Sequence, residues 1–176
     1  MAQEPPSPPE EIDGRNRPLD DPFLDRLVGT WDIRGTVAGR PLEHRGDVEW
    51  SLNHQFLKVH FLDVSKGTPG AGRPRVRYEA LVFIGYDNMS ERYVVHWIDV
   101  FGGRFSETLG YGRREVAGSG DEAIRFVFEY PDGPLHNTFT WNRNEGTWSI
   151  LIRQKDARGV WTTFAEETLT PTKGAR

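Results

Sequence analysis

The sequence predicts an all-β domain: an up-and-down antiparallel β-barrel of about ten strands, with a short N-terminal helix closing one end. Three observations predict it. Apolar and polar residues alternate in short segments along most of the chain, the period-two mark of strands. Brief turn-forming stretches separate these segments, and 19 Gly with 12 Pro among 176 residues supply the turns. After the first helix no segment suits a helical crossover, so the strands join as hairpins into an antiparallel meander. A twisted meander of this length loses its exposed edges by closing, and a flattened sandwich is the alternative closure.

Residues 1–19 hold a Pro- and acid-rich stretch, MAQEPPSPPEEIDGRNRP, with almost nothing to bury, and are expected to form a disordered arm. Residues 20–176 are expected to form the single barrel domain. Its first element is the helix in DDPFLDRLVG. Asp20 or Asp21 suits the N-cap, Pro22 the first helical position and Gly29 the stop, with Phe23 and Leu27 on one face.

The strands follow in order. WDIRGTVA sets Trp31, Ile33 and Val37 against Asp32, Arg34 and Thr36, and GDVEWSL sets Val48, Trp50 and Leu52 against Asp47, Glu49 and Ser51. FLKVHFLDV precedes a long Gly/Pro loop whose GTPGAG lacks the Lys-Ser/Thr of a phosphate loop and reads as a mobile loop at the barrel mouth. RVRYEALVFIGY and YVVHWIDVFG are the central pair. After them come RFSETLGYG, AIRFVFEY, LHNTFTW, TWSILIRQ and VWTTFAEETL, divided by turns such as PDG and KDARG.

The central pair is apolar on both faces, unlike the strands around it. The row Tyr78, Ala80, Val82 and Ile84 is assigned to the interior because the opposite row carries Arg77 and Glu79; Tyr93, Val95, Trp97 and Asp99 accompany it. Leu81, Phe83, Val94, His96 and Ile98 are then left as an outer apolar patch. A homodimer through the outer face of the Tyr78–Tyr86 and Tyr93–Phe101 strands would cover it.

LVGTW, where helix passes into first strand, resembles the opening signature of the calycin superfamily, which includes lipocalins, fatty-acid-binding proteins and nitrobindins. The resemblance implies that Trp31 packs under the N-terminal turn at the closed end of the barrel. GYDNMSERYVVHWIDVFG is similar to the central hairpin of a bacterial domain-of-unknown-function family with a calycin-like barrel. The match rests on Gly85, Tyr86, Asp87, Tyr93, Trp97, Ile98 and Asp99. It implies the fold and transfers no activity. Nitrobindins hold haem through a His near the C-terminal end of the barrel; no His follows His136 here, so no haem is expected.

Composition narrows function further. The net charge of −4 resides in the first 22 residues, and the remainder has equal numbers of acids and bases, with no basic stripe for nucleic acid. There is no Cys, which excludes disulfides and thiolate chemistry. No apolar run approaches membrane-spanning length, and the start lacks the apolar centre of a signal peptide, so the cytoplasm is the expected compartment. His54 and His60 would stand about 20 Å apart on one strand, and no His spacing suggests a metal site.

No nucleophile motif or catalytic set emerges, and no cofactor is expected. The expected function is binding of a small apolar molecule with a polar end. Trp50, Tyr78, Tyr93, Trp97 and Tyr111 would form the walls and Asp99 or Glu107 the anchor. Asp99 has a second reading, as acceptor for turn amides or partner of Arg104 beside the strand end. Glu107 shares a row with Phe105, Leu109 and Tyr111, while Ser106, Thr108 and Gly110 are an equally good lining. Glu166 shares a row with Val160, Thr162, Phe164 and Thr168 and raises the same choice. The alternatives are a cofactor-free isomerase or lyase using an interior carboxylate, and a filled barrel acting as an interaction module.

Overall fold

The computed structural model describes residues 16–65, 77–116, 120–156 and 158–173; the GTPGAG loop and most of the N-terminal arm lie outside them. Helix α1 (Pro22–Asp25) is followed by ten strands: β1 (Gly29–Val37), β2 (Arg40–Ser51), β3 (Phe56–Asp63), β4 (Glu79–Asp87), β5 (Arg92–Asp99), β6 (Leu109–Val116), β7 (Glu122–Tyr130), β8 (Gly133–Asn142), β9 (Thr147–Lys155) and β10 (Trp161–Pro171). Each pairs antiparallel with its sequence neighbour. β1 pairs with β10 from Trp31↔Pro171 to Val37↔Ala165, which closes the barrel. This up-and-down closure is compatible with a calycin-like fold.

Local chemistry explains the joints. Val37 pairs with Arg40 across a two-residue turn, Ala38 and Gly39, at φ 49° and 73°. Two successive positive φ values match the twist of the flanking strands. Asp21 caps α1, its Oδ1 accepting the Phe23 and Leu24 amides at 3.0 and 3.1 Å, and its Oδ2 accepts the Tyr93 hydroxyl at 2.6 Å. The helix is shorter than the sequence suggests. The Trp148 and Trp31 indoles donate to the Arg26 and Leu27 carbonyls at 3.2 and 2.7 Å, satisfying acceptors at the end of the helical turn. Residues 16–19, expected in the arm, are tied to the β2–β3 turn: the Leu19 amide donates to the His54 carbonyl, and Asn53 and Gln55 side chains donate to the Asn16 and Arg17 carbonyls.

Phe23, Leu24 and Leu27 plug the closed end, buried with Trp31 and Trp148, and the Phe23 ring meets Trp148 edge-on at 4.9 Å. Such a pair is worth about 0.5–1.5 kcal/mol beyond its buried area. The inward rows of the central strands are those expected, with Ala80, Val82, Ile84, Tyr93 and Val95 all buried. On the opposite face Leu81 and Ile98 are 40% and 52% exposed, so the outer patch has no cover within the described residues. No helix among those residues is long and apolar enough to cross a membrane.

Two segments depart from strict alternation. The expected strand RFSETLGYG is a 3₁₀ turn over Gly102–Arg104 and irregular chain up to Leu109, where β6 begins. Glu107 Oε1 accepts the Thr108 and Leu109 amides at 3.0 and 3.4 Å, a local bond that competes with the sheet ladder. In β10 a bulge between Thr163 and Ala165 breaks the register.

Candidate functional site

The polarity of the strands gives the barrel two different ends. β1 starts at the plugged end, so every odd strand starts there and every even strand finishes there. Inward residues near the plug are packed aromatics and aliphatics. Those at the other end enclose a cavity of about 1180 Å³ that opens to solvent. The β5–β6 pairing stops at His96↔Leu109, apart from one bond from the Trp97 amide to the Thr108 carbonyl, and Phe101, Phe105 and Glu107 arch along that edge of the mouth. Phe105 is 75% exposed there.

One wall is a continuous aromatic surface. Phe61 stacks on Trp97 at 5.4 Å, the Trp97 indole Nε1 donates to the Tyr78 hydroxyl at 3.1 Å, and the His44 ring stacks on Tyr78 at 5.2 Å. Phe101 lies 6.2 Å from Tyr78 toward the rim. The opposite wall carries Phe128, Tyr130, Leu135 and Ile152. Gly110 makes room for Phe128, since a Cβ there would sit 2.9 Å from its ring.

Polar groups are set into these walls. Glu167 on β10 faces the cavity, and burial pushes its carboxyl up to about 7. Burial also raises the Tyr78 phenol; the Trp97 hydrogen bond opposes that shift, and the charges of Asp99 and Glu167 add to it. Burial lowers His44, with the Asp63 charge opposing. Tyr130 is raised by burial, against a backbone hydrogen bond with Glu107. Asp63 accepts both the amide and the hydroxyl of Ser65, at 2.8 and 2.5 Å. Asn137, only 2% exposed, carries an Oδ1 with no hydrogen-bond partner. Neutral imidazole, phenols, an amide and a carboxyl of raised pKa make a site suited to hydrogen bonding and proton exchange at neutral pH.

The seven residues expected to form the site divide by location. Tyr78, Trp97, Asp99 and Glu107 line the cavity. Asp99 Oδ1 accepts the Phe101 amide at 2.9 Å, the turn role weighed for it above, and Glu107 is engaged with its own neighbouring amides. Trp50 is not in the cavity: it stacks on His54 and donates to Asp25 at the plugged end. Tyr93 is also at that end, bonded to Asp21. Tyr111 pairs with Val94 on the outer face, where the Arg92 guanidinium lies 3.6 Å from its ring centre, and so it does not share a wall with Glu107. Glu166 points outward, because the β10 bulge moves Glu167 to the interior in its place.

Glu167, Asn137, Asp63 and Tyr130 were not anticipated as lining. For Glu167 a signal existed: its neighbours at two-residue spacing, Ala165 and Leu169, are both buried apolar residues. Among the described residues no group of three or more His, Asp or Glu is placed to hold a metal ion. No protein-family model matches the chain, and no curated protein matches it.

Proposed function

We propose that the barrel binds a small apolar molecule bearing a polar group, with the body against Phe61, Tyr78 and Trp97 and the polar group among the carboxyls. The observation that carries this reading is the contrast between the two ends. One is packed solid around Trp148, while the other leaves about 1180 Å³ lined by aromatic rings. Ligand pockets run to roughly 300–1,000 Å³ and combine apolar walls with a few polar fixtures. Filling such a space removes apolar surface from water.

Titration with the fluorescent hydrophobe 1-aminoanthracene tests the reading. One saturable enhancement is expected in the native chain. In Ala165→Trp, where an indole takes the cavity volume, the enhancement should vanish while thermal unfolding remains cooperative. No enhancement in the native chain would contradict it.

A second reading, a cofactor-free isomerase or lyase, gains support from Glu167 rather than from Asp99 or Glu107, because Glu167 is the enclosed carboxyl with the raised pKa. Deuterium incorporated from D2O into a molecule recovered from the barrel would favour that reading. Kinship with the bacterial calycin-like family, a cytoplasmic location and pairing of two copies through Leu81 and Ile98 belong to the proposal as well. A monomer in equilibrium sedimentation would remove the pairing.

A further inference from the structure

The cavity's charge is one-sided. Among the described residues it is lined by five carboxyls, Asp63, Asp99, Glu107, Asp132 and Glu167, against two cationic side chains, Arg40 and Lys155. The Lys155 ammonium lies 5.3 Å over the Trp161 ring. An organic anion entering this mouth would meet like charge, whereas a cation would be drawn in.

Two further observations point the same way. Phe61, Tyr78 and Trp97 line the cavity, and aromatic rings attract cations. Asn137 supplies an acceptor, its Oδ1, that is buried without a donor. Such a group costs free energy, and a donor arriving with a ligand would offset that cost. The acids do not converge into a compact metal site among the described residues, so the lining suits an organic cation better than a metal ion.

We infer that the polar end of the ligand is a protonated amine on an apolar body, its ammonium paired with Glu167 and sharing its N–H donors with Asn137. This rests on the binding reading above and names the ligand class for the same cavity. Among the described residues Glu167 has no carboxylate-stabilising partner, and burial raises its pKa; an ammonium beside it would supply the missing charge. Asp63, Asp99 and Glu107 are already engaged by backbone amides or by Ser65, and Asp132 is exposed in the β7–β8 turn, which leaves Glu167 as the inner partner.

Calorimetric titration at neutral pH with octylamine, octanol and octanoate, three probes alike except in the head group, tests this. Octylamine should bind tightest and octanoate weakest. Glu167→Gln should weaken octylamine by about tenfold or more while leaving octanol within about twofold. The thermal midpoint of Glu167→Gln, expected at or above that of the native chain, controls for folding. Octanol or octanoate binding as tightly as octylamine would overturn the amine inference and leave the binding barrel standing. Octylamine binding unchanged in Glu167→Gln would overturn Glu167 as the partner. If none of the three binds, the binding reading itself falls.

Discussion

Glu167 pairs with Gly35 across the β10–β1 seam, and the two backbones are so close that a Cβ at Gly35 would lie 2.8 Å from the Glu167 Cα and 2.0 Å from the Glu166 carbonyl oxygen. This contact lies beside the β10 bulge, at the seam that closes the barrel. Gly35→Ala therefore has to push backbone rather than a flexible side chain. It is expected to destabilise the protein by about 1–3 kcal/mol, as overpacking does. Urea unfolding measures this, and an unchanged midpoint would show that the seam is loose.

The raised pKa of Glu167 has a definite sign. The folded carboxyl holds its proton up to about 7, against an ordinary value of 4.5, so between these pH values the folded chain binds a proton that the unfolded chain releases. Stability therefore falls as pH rises through that window. Glu167→Gln should match the native chain below pH 4.5 and exceed it by about 3 kcal/mol at pH 8. Half-buried His44 acts in the opposite sense. Its pKa is depressed, so the unfolded chain takes up the proton first, and stability is lost as pH drops below 6.5. The two windows overlap below pH 6.5, where their slopes oppose one another, so Glu167→Gln should remove the loss toward neutral pH and leave the His44 loss below 6.5 unopposed.

The fold was legible because alternation, turns and a helix signal agree. Pro22 and Asp21 mark the helix, Trp31 opens the first strand, and the rows through Val82 and Val95 could be assigned to the interior because Arg77 and Glu79 mark the opposite face. The site was legible only in part. Parity tells which face a residue takes and says nothing about which end of the barrel it occupies, so Trp50 and Tyr93 were grouped with Trp97 although they lie by the plug. Strand direction separates them: β5 runs from Tyr93 at the plugged end to Asp99 at the mouth. Glu167 was hidden by the bulge, which shows only when Thr163 and Ala165 are set against their β9 partners, Arg153 and Ile152.

Asp21 joins the helix plug to the barrel wall, serving two helix amides with one oxygen and the Tyr93 hydroxyl with the other. Tyr93→Phe removes one bond and leaves a buried carboxylate oxygen unsatisfied, with an expected loss of about 1–3 kcal/mol. Asp21→Ala removes the cap as well and should cost more. Equal losses from the two variants in denaturant unfolding would mean that the cap contributes nothing.

Asn137→Leu separates binding from stability. The leucine removes an orphaned polar group from the barrel interior at similar volume, so stability should stay level or rise by about 1 kcal/mol. Affinity for octylamine should drop. A large destabilisation would instead assign Asn137 a structural bond.

The central claim is that the open half of the barrel is built to be occupied, and native mass spectrometry of the protein purified gently from its own cells tests it most directly. The account predicts a species heavier than the bare chain by one small molecule, released on denaturation and lost in Ala165→Trp. The bare chain mass in every preparation would contradict it.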